Sequence, residues 1–279
     1  MEYLIGSIIA LFIALTGVGA GTITVPVLVL FLGVPAAEAV AIGLIFSAAV
    51  KLLLVPAQVV RGNVSWRVLG RMLLGGVPGV LAGSFFLKHL VNAGSQNLLN
   101  GLLGTILITT AGWQLWFSFR KRSNDEERGD RSHLLTWLML PVGAEVGFSS
   151  AGAGALGSAA LLSLSKLTPA QVVGTDLAFG LALSLIGSGA HIFGGGAGNS
   201  ALLMHLIAGG VAGAVLGTVL STHIPRRPLR LALWFWLMIL GGQFLFNSVE
   251  TGRARTSHQP AKAPGAQSTA RLERSNSGS

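Results

Sequence analysis

The chain has 279 residues, 51% of them hydrophobic and 10% charged, with mean hydropathy +0.68, whereas a soluble domain carries roughly 25% charged residues. The formal charge of +9 comes from bases clustered beside apolar stretches and in the tail, so topology accounts for it and a nucleic-acid partner is not implied. Cysteine is absent, which removes disulfides, thiolate metal sites and cysteine nucleophiles; no metal or other cofactor is called for.

A membrane span needs roughly 20 apolar residues to cross about 30 Å of hydrocarbon. The first apolar stretch, Tyr3 to Leu32, exceeds one span and is interrupted at Gly17-Val18-Gly19-Ala20-Gly21. It has no basic leader and further spans follow, so it does not read as a signal peptide. Three segments of single-span length come next, Glu38 to Val60, Arg67 to Leu90 and Leu98 to Phe119. The charged loop Arg120 to His133 follows, and then a second overlong stretch, Leu134 to Leu164, broken at Gly152-Ala153-Gly154. Pro169 to Phe193, Ala201 to Thr222 and Pro228 to Asn247 complete the spans. Glycine weakens a helix by about 1 kcal/mol, and broken backbone at membrane depth persists only where protein or a polar cavity covers it. Both overlong stretches therefore read as pairs of half-helices. From Ser248 onward the chain is polar and Arg-rich and is expected to be disordered.

The two sets of spans match at a displacement of 133 to 134 positions. Gly19-Ala20-Gly21 falls on Gly152-Ala153-Gly154, and Val77 to Ser84 falls on Val211 to Thr218. Duplicated halves with interrupted helices are a transporter signature. The expected fold is an all-α integral membrane protein of two repeated halves. Residues 1–119 form the first, 120–133 the linker, 134–247 the second and 248–279 a basic tail. If each half-helix pair dips in and returns, the halves are inverted. Then Arg61, Arg67, Arg71, Arg120, Lys121, Arg122, Arg128, Arg131, Lys166, Arg226, Arg227 and Arg230 share one side against Lys88 among the opposite loops. The positive-inside rule favours that asymmetry over the evener split of a crossing model, although it leaves the basic tail beside Lys88. A multi-pass bacterial-type cell (inner) membrane is the expected location, with a small anionic solute and the lipid bilayer as partners and a homo-oligomer open.

The stretch Thr16 to Leu28 (TGVGAGTITVPVL), the turn Gly62-Asn63-Val64-Ser65-Trp66, and Gly174-Thr175-Asp176-Leu177 with His191 resemble the TauE/SafE family of sulfite and organosulfonate exporters. The resemblance covers Tyr3 to Asn247. It departs from the family pattern at the shorter glycine runs and at Ser158 and Ala159, where the family usually has a proline, departures that bear on substrate more than on fold. It implies a transporter, and not an enzyme, for a small, often sulfur-containing anion.

Ionisable groups within spans cost about 2.5–3.5 kcal/mol at a helix centre, so each needs a reason. Lys51 could attract an anion or pair with Asp176 or Glu145. Asp176 and Glu145 are candidate proton carriers, with capping or tethering as their plainer roles. His191 aligns with Gln58 and could be structural or substrate-facing. Half-helices starting after Gly21 and Gly154 would turn free N–H groups toward an anion. Gly19, Gly21, Thr22, Ser149, Ser150, Gly152 and Gly154 are accordingly candidate binding residues, tight helix packing being the alternative. Two other functions compete: an intramembrane serine hydrolase built on Gly147-Phe148-Ser149-Ser150 and His191, which lacks the glycine expected after the nucleophile, and a non-transporting assembly or sensor protein.

Overall fold

The computed structural model describes residues 2–16, 20–93, 96–119, 133–151, 153–193, 200–220 and 226–257, all of them in helices or short turns. The helices are α1 Glu2–Thr16, α2 Ala20–Leu32, α3 Ala36–Val60, α4 Trp66–Asn92, α5 Gln96–Phe119, α6 Leu134–Ser149, α7 Ala153–Leu164, α8 Pro169–Phe193, α9 Ser200–Leu220 and α10 Arg226–Ser257. Among the described residues, five apolar helices are long enough to cross a membrane, those at α3, α4, α5, α8 and α9. The sixth expected span is different: the apolar stretch of α10 is only Leu231–Phe246, set inside a helix of 32 residues. That helix runs on past Ser248 to Ser257. Extending a formed helix costs far less than starting one, so polar residues can continue it. Residues 258–279 lie outside the described residues.

Each overlong stretch holds two helices. α1, α2, α6 and α7 hold 15, 13, 16 and 12 residues. At about 1.5 Å per residue each is shorter than the ~30 Å hydrocarbon layer. The α3–α4 turn shows the local logic clearly. Gly62 adopts φ 68°, and the Gly62 and Asn63 amides donate to the Val59 and Gln58 carbonyls at 3.0 and 2.9 Å. This is a Schellman ending, which favours glycine at the left-handed position.

Small residues set how the helices pack. Gly75, Gly79 and Gly83 of α4 lie directly against Thr136, Leu140 and Ala144 of α6, in that order, so α4 and α6 run parallel. Gly209 and Gly213 of α9 meet Tyr3 and Ser7 of α1 in the same way, and Gly217 meets Leu11 and Ala14. These contacts recur 133 or 134 residues apart. So do those of two fully buried rings, Phe179 over Gly76 and Phe46 over Gly210. Val80 facing Gly187, with Gly76 facing Phe179 and Leu183, makes α8 parallel to α4 as well. Since α6 and α8 share one direction, α7 between them runs back. By contrast α3 and α8 are antiparallel, Leu44 lying on Gly187 and Lys51 on Ser184. α5 and α10 are antiparallel too, with Gly104 against Phe244 and Ile108 against Gly241.

A methyl group added at Gly79 would fall onto the Leu140 carbonyl, whereas one at Gly112 meets nothing within 4 Å. Overpacking of this kind costs about 1–3 kcal/mol. Gly79→Val is therefore expected to lower the melting temperature in detergent clearly, and Gly112→Val to leave it near the parent value.

Candidate functional site

The two helix breaks meet at the centre of the bundle. Gly21, in the first turn of α2, packs directly against the backbone and hydroxyl of Ser150, at the end of α6. A Cβ on Gly43 of α3 would come within 3.1 Å of the Ser150 hydroxyl. Ser150 itself takes a left-handed conformation, φ 60°, and its amide donates to the Val146 carbonyl at 2.8 Å. Its hydroxyl is buried and has no hydrogen-bond partner among the described residues. Buried polar groups are nearly always satisfied, so an orphan of this kind calls for an explanation.

Two further carbonyls of the α6 end are met by side chains, one from other helices and one from α6 itself. Ser84 of α4 donates to the Gly147 carbonyl at 3.3 Å, and His191 Nε2 lies 3.3 Å from the same oxygen. Ser149 Oγ donates to the Glu145 carbonyl at 2.9 Å and accepts from the Ala151 amide at 3.3 Å. His191 thus holds the end of α6, and neither serine pairs with it, so the hydrolase arrangement is not assembled. Its sequence counterpart Gln58 does something else, accepting from Asn63 Nδ2 at 2.9 Å across the α3–α4 turn.

Below the breaks a buried polar track runs between α3 and α8. Gly43, Ser47 and Lys51 follow at intervals of four on one face of α3. Lys51 is 3% exposed. Its ammonium donates to Ser184 Oγ at 3.4 Å, and Ser184 shares a hydrogen bond with Ser47 at 3.0 Å. Asp176, also buried, is the carboxylate whose charge reaches Lys51. It accepts from Ser158 Oγ at 2.6 Å, and a side chain at Gly157 would collide with it. Asp176 therefore stands against the first turns of α7, where a helix N-terminus favours negative charge. Beside it, the Ser65 amide at the start of α4 donates to Thr175 Oγ1 at 3.0 Å, and Gly174 packs on the Asn63 carbonyl. The Gly62–Trp66 turn and the Gly174–Asp176 segment are one contact.

Of the residues singled out from sequence, Gly21, Thr22, Lys51, Ser149, Ser150, Gly154 and Asp176 are buried in the bundle interior. Gly19 and Gly152 lie outside the described residues. Glu145 is half-buried and faces elsewhere, its Oε1 accepting from Thr110 of α5 at 2.5 Å, so it is not the partner of Lys51. Ser47, Ser184 and Gly43 were not singled out. The signal for them was available: Ser47 lies one helical turn before Lys51, and Ser184 occupies the position 133 residues after it.

Backbone amides at two helix starts, several hydroxyls and one ammonium around a buried centre are donors suited to a small oxyanion. Comparison with known proteins points the same way. The sequence model of the family described as Sulfite exporter TauE/SafE matches residues 3–244. The chain is also similar to the "Probable membrane transporter protein YjnA" of Bacillus subtilis (strain 168), with 25% identity over 246 residues, covering 85% of this chain and 96% of that protein. No solved structure matches it.

Proposed function

Since this chain belongs to the sulfite exporter TauE/SafE family and is a multi-pass membrane transporter, we propose that its solute is a small sulfur oxyanion, sulfite or an organosulfonate, which it exports. The observation that carries this reading is a difference between two corresponding places. In the second half Asp176 stands against the first turns of α7. In the first half the residue 133 positions earlier is Gly43, beside the start of α2, and the orphan Ser150 hydroxyl faces it. One helix start is thus served by the protein's own carboxylate, and the other is left to an anion from outside. Lys51, two turns further along α3, attracts the anion, while Asp176 beside it is the group to take up a coupling proton.

Alternating exposure follows from one half moving against the other if the halves are inverted duplicates. The antiparallel pairs α3/α8 and α5/α10, each joining corresponding helices, support that arrangement, as does the return of α7. It sets Arg61, Arg67, Arg71 and Lys166 on one side, the cytoplasmic one by the positive-inside rule, and Lys88 on the other. In this cysteine-free chain, single cysteines replacing Gly62 and Lys166 should label from the same face, and one replacing Ala93 from the opposite face. Labelling of Gly62→Cys and Lys166→Cys from opposite faces would remove the inverted arrangement. Sulfite flux in proteoliposomes, with taurine, acetate and chloride in parallel, tests the solute; flux of carboxylates but not of sulfur oxyanions would overturn the assignment.

A further inference from the structure

Two lipid-side crevices occupy corresponding places in the bundle, and they differ in one respect. The smaller, of about 560 Å³, lies among α1, α2 and α10 and is lined only by apolar residues, among them Ile5, Ile9, Phe12, Ile23 and Val27. The larger, of about 1190 Å³, lies among α4, α5, α6 and α7. Its Leu138, Val142, Leu156 and Ala160 stand 133 residues after Ile5, Ile9, Ile23 and Val27. At the position 133 residues after Phe12 it has Glu145.

That substitution places a carboxyl in an apolar crevice about 16 Å along α6 from Leu134, near the middle of a ~30 Å hydrocarbon layer. Oε1 accepts from Thr110 Oγ1 at 2.5 Å. Glu145 is half-buried, and its carboxyl makes no other hydrogen bond among the described residues. The neighbouring hydroxyls of Thr109 and Ser163 are turned to carbonyls of their own helices, those of Thr105 and Ala159. His89, in the last turn of α4, is the other titratable group on the lining. A carboxyl at this depth is expensive without a donor, and the bilayer supplies no water to serve as one.

We propose that the α4–α7 crevice is a binding site for a lipophilic amine: an aliphatic chain seated on the apolar lining, with its ammonium or amine N–H groups on Glu145. The volume exceeds the range of about 300–1000 Å³ usual for small-molecule pockets, so an extended chain fits. Charge and hydrogen-bond complementarity select the head group: a primary amine donates to the free carboxyl oxygen, whereas a fatty acid brings a second carboxyl beside the first. The inference stands apart from the solute assignment, because none of Lys51, Ser47 and Ser150 lines the crevice.

The test uses the whole protein in nanodiscs with a dodecylamine analogue carrying a chain-borne diazirine. After illumination, adducts are expected on α5 and α6 at least tenfold above those on α1 and α10, with unlabelled dodecylamine competing and dodecanoate not. Glu145→Gln keeps the volume and a bond to Thr110; it should reduce the adducts at least tenfold with little change in melting temperature. Equal adducts in both crevices would mean partitioning of an oily probe only, and would overturn the proposal. So would competition by dodecanoate as strong as by dodecylamine, a reading that the unaltered protein provides even if the variant fails to fold. Absence of adducts together with cross-linking of two copies through α5 would give the crevice to a second copy instead.

Discussion

Lys51→Met is expected to reduce sulfite flux about tenfold or more while leaving a folded protein in the membrane. Two helical turns, about 12 Å, separate Lys51 from Gly43 along α3, and at an effective dielectric constant near 20 a cation and an anion that far apart attract by roughly 1.4 kcal/mol, about tenfold in binding. Methionine retains the length and flexibility of the side chain and carries no charge to bury, so the α3–α8 contact keeps its shape. What it leaves behind is Asp176, whose nearby positive charge is gone. Removing one partner of a buried pair is destabilising, about 3–5 kcal/mol where the other charge is left uncompensated. The double variant Lys51→Met with Asp176→Asn separates the two roles. If Lys51 serves only to balance Asp176, the double variant should recover both melting temperature and flux. If the ammonium meets the anion, the melting temperature should recover and flux should not. Normal flux in Lys51→Met, with a lowered melting temperature, would assign the residue to architecture alone.

The helices were legible because the signal that specifies them is crude. Runs of about 20 apolar residues between charged turns define α3, α4, α5, α8 and α9 to within two residues at most ends. The breaks were legible for a different reason: Gly17 to Gly21 and Gly152 to Gly154 interrupt stretches too long for one span. What the breaks touch was not legible. Nothing in the order of residues says that Gly21 lies on Ser150, or that Gly75, Gly79 and Gly83 serve α6 while Gly209, Gly213 and Gly217 serve α1. Glycine admits both a close approach and a bend, and only the three-dimensional neighbour decides between them. Glu145 was named from sequence as a proton carrier or a tether of loose backbone, and nothing in the order of residues says that its carboxyl meets Thr110 of α5. Ser47 and Ser184 are ordinary small polar residues in sequence, and only Lys51 between them gives them a role.

The junction of the two breaks gives the other large effect. Gly21→Val should prevent assembly of the protein, because the added atoms would lie where the Ser150 carbonyl is. Backbone cannot swing aside as a flexible side chain does, and Ser150 is fixed by the hydrogen bond that its N–H donates to the Val146 carbonyl. Loss of transport in that variant would therefore say little about substrate, and Ser150→Ala is the variant that does. The Ser150 hydroxyl is buried without a partner among the described residues, a state that costs about 1–3 kcal/mol. Alanine removes that cost and keeps the backbone conformation that any non-glycine residue shares at φ 60°. Its melting temperature should equal or exceed that of the parent. If the hydroxyl is retained to donate to an anion at the start of α2, the same variant should bind sulfite about ten- to a hundredfold more weakly, the range for a hydrogen bond of about 1.5–3 kcal/mol to a charged group. Stability that holds or rises while affinity falls is a combination that packing alone does not produce. Unchanged affinity in Ser150→Ala would leave the hydroxyl unexplained and move the anion seat away from the junction. A folded Gly21→Val with parental melting temperature would show that the two breaks do not meet.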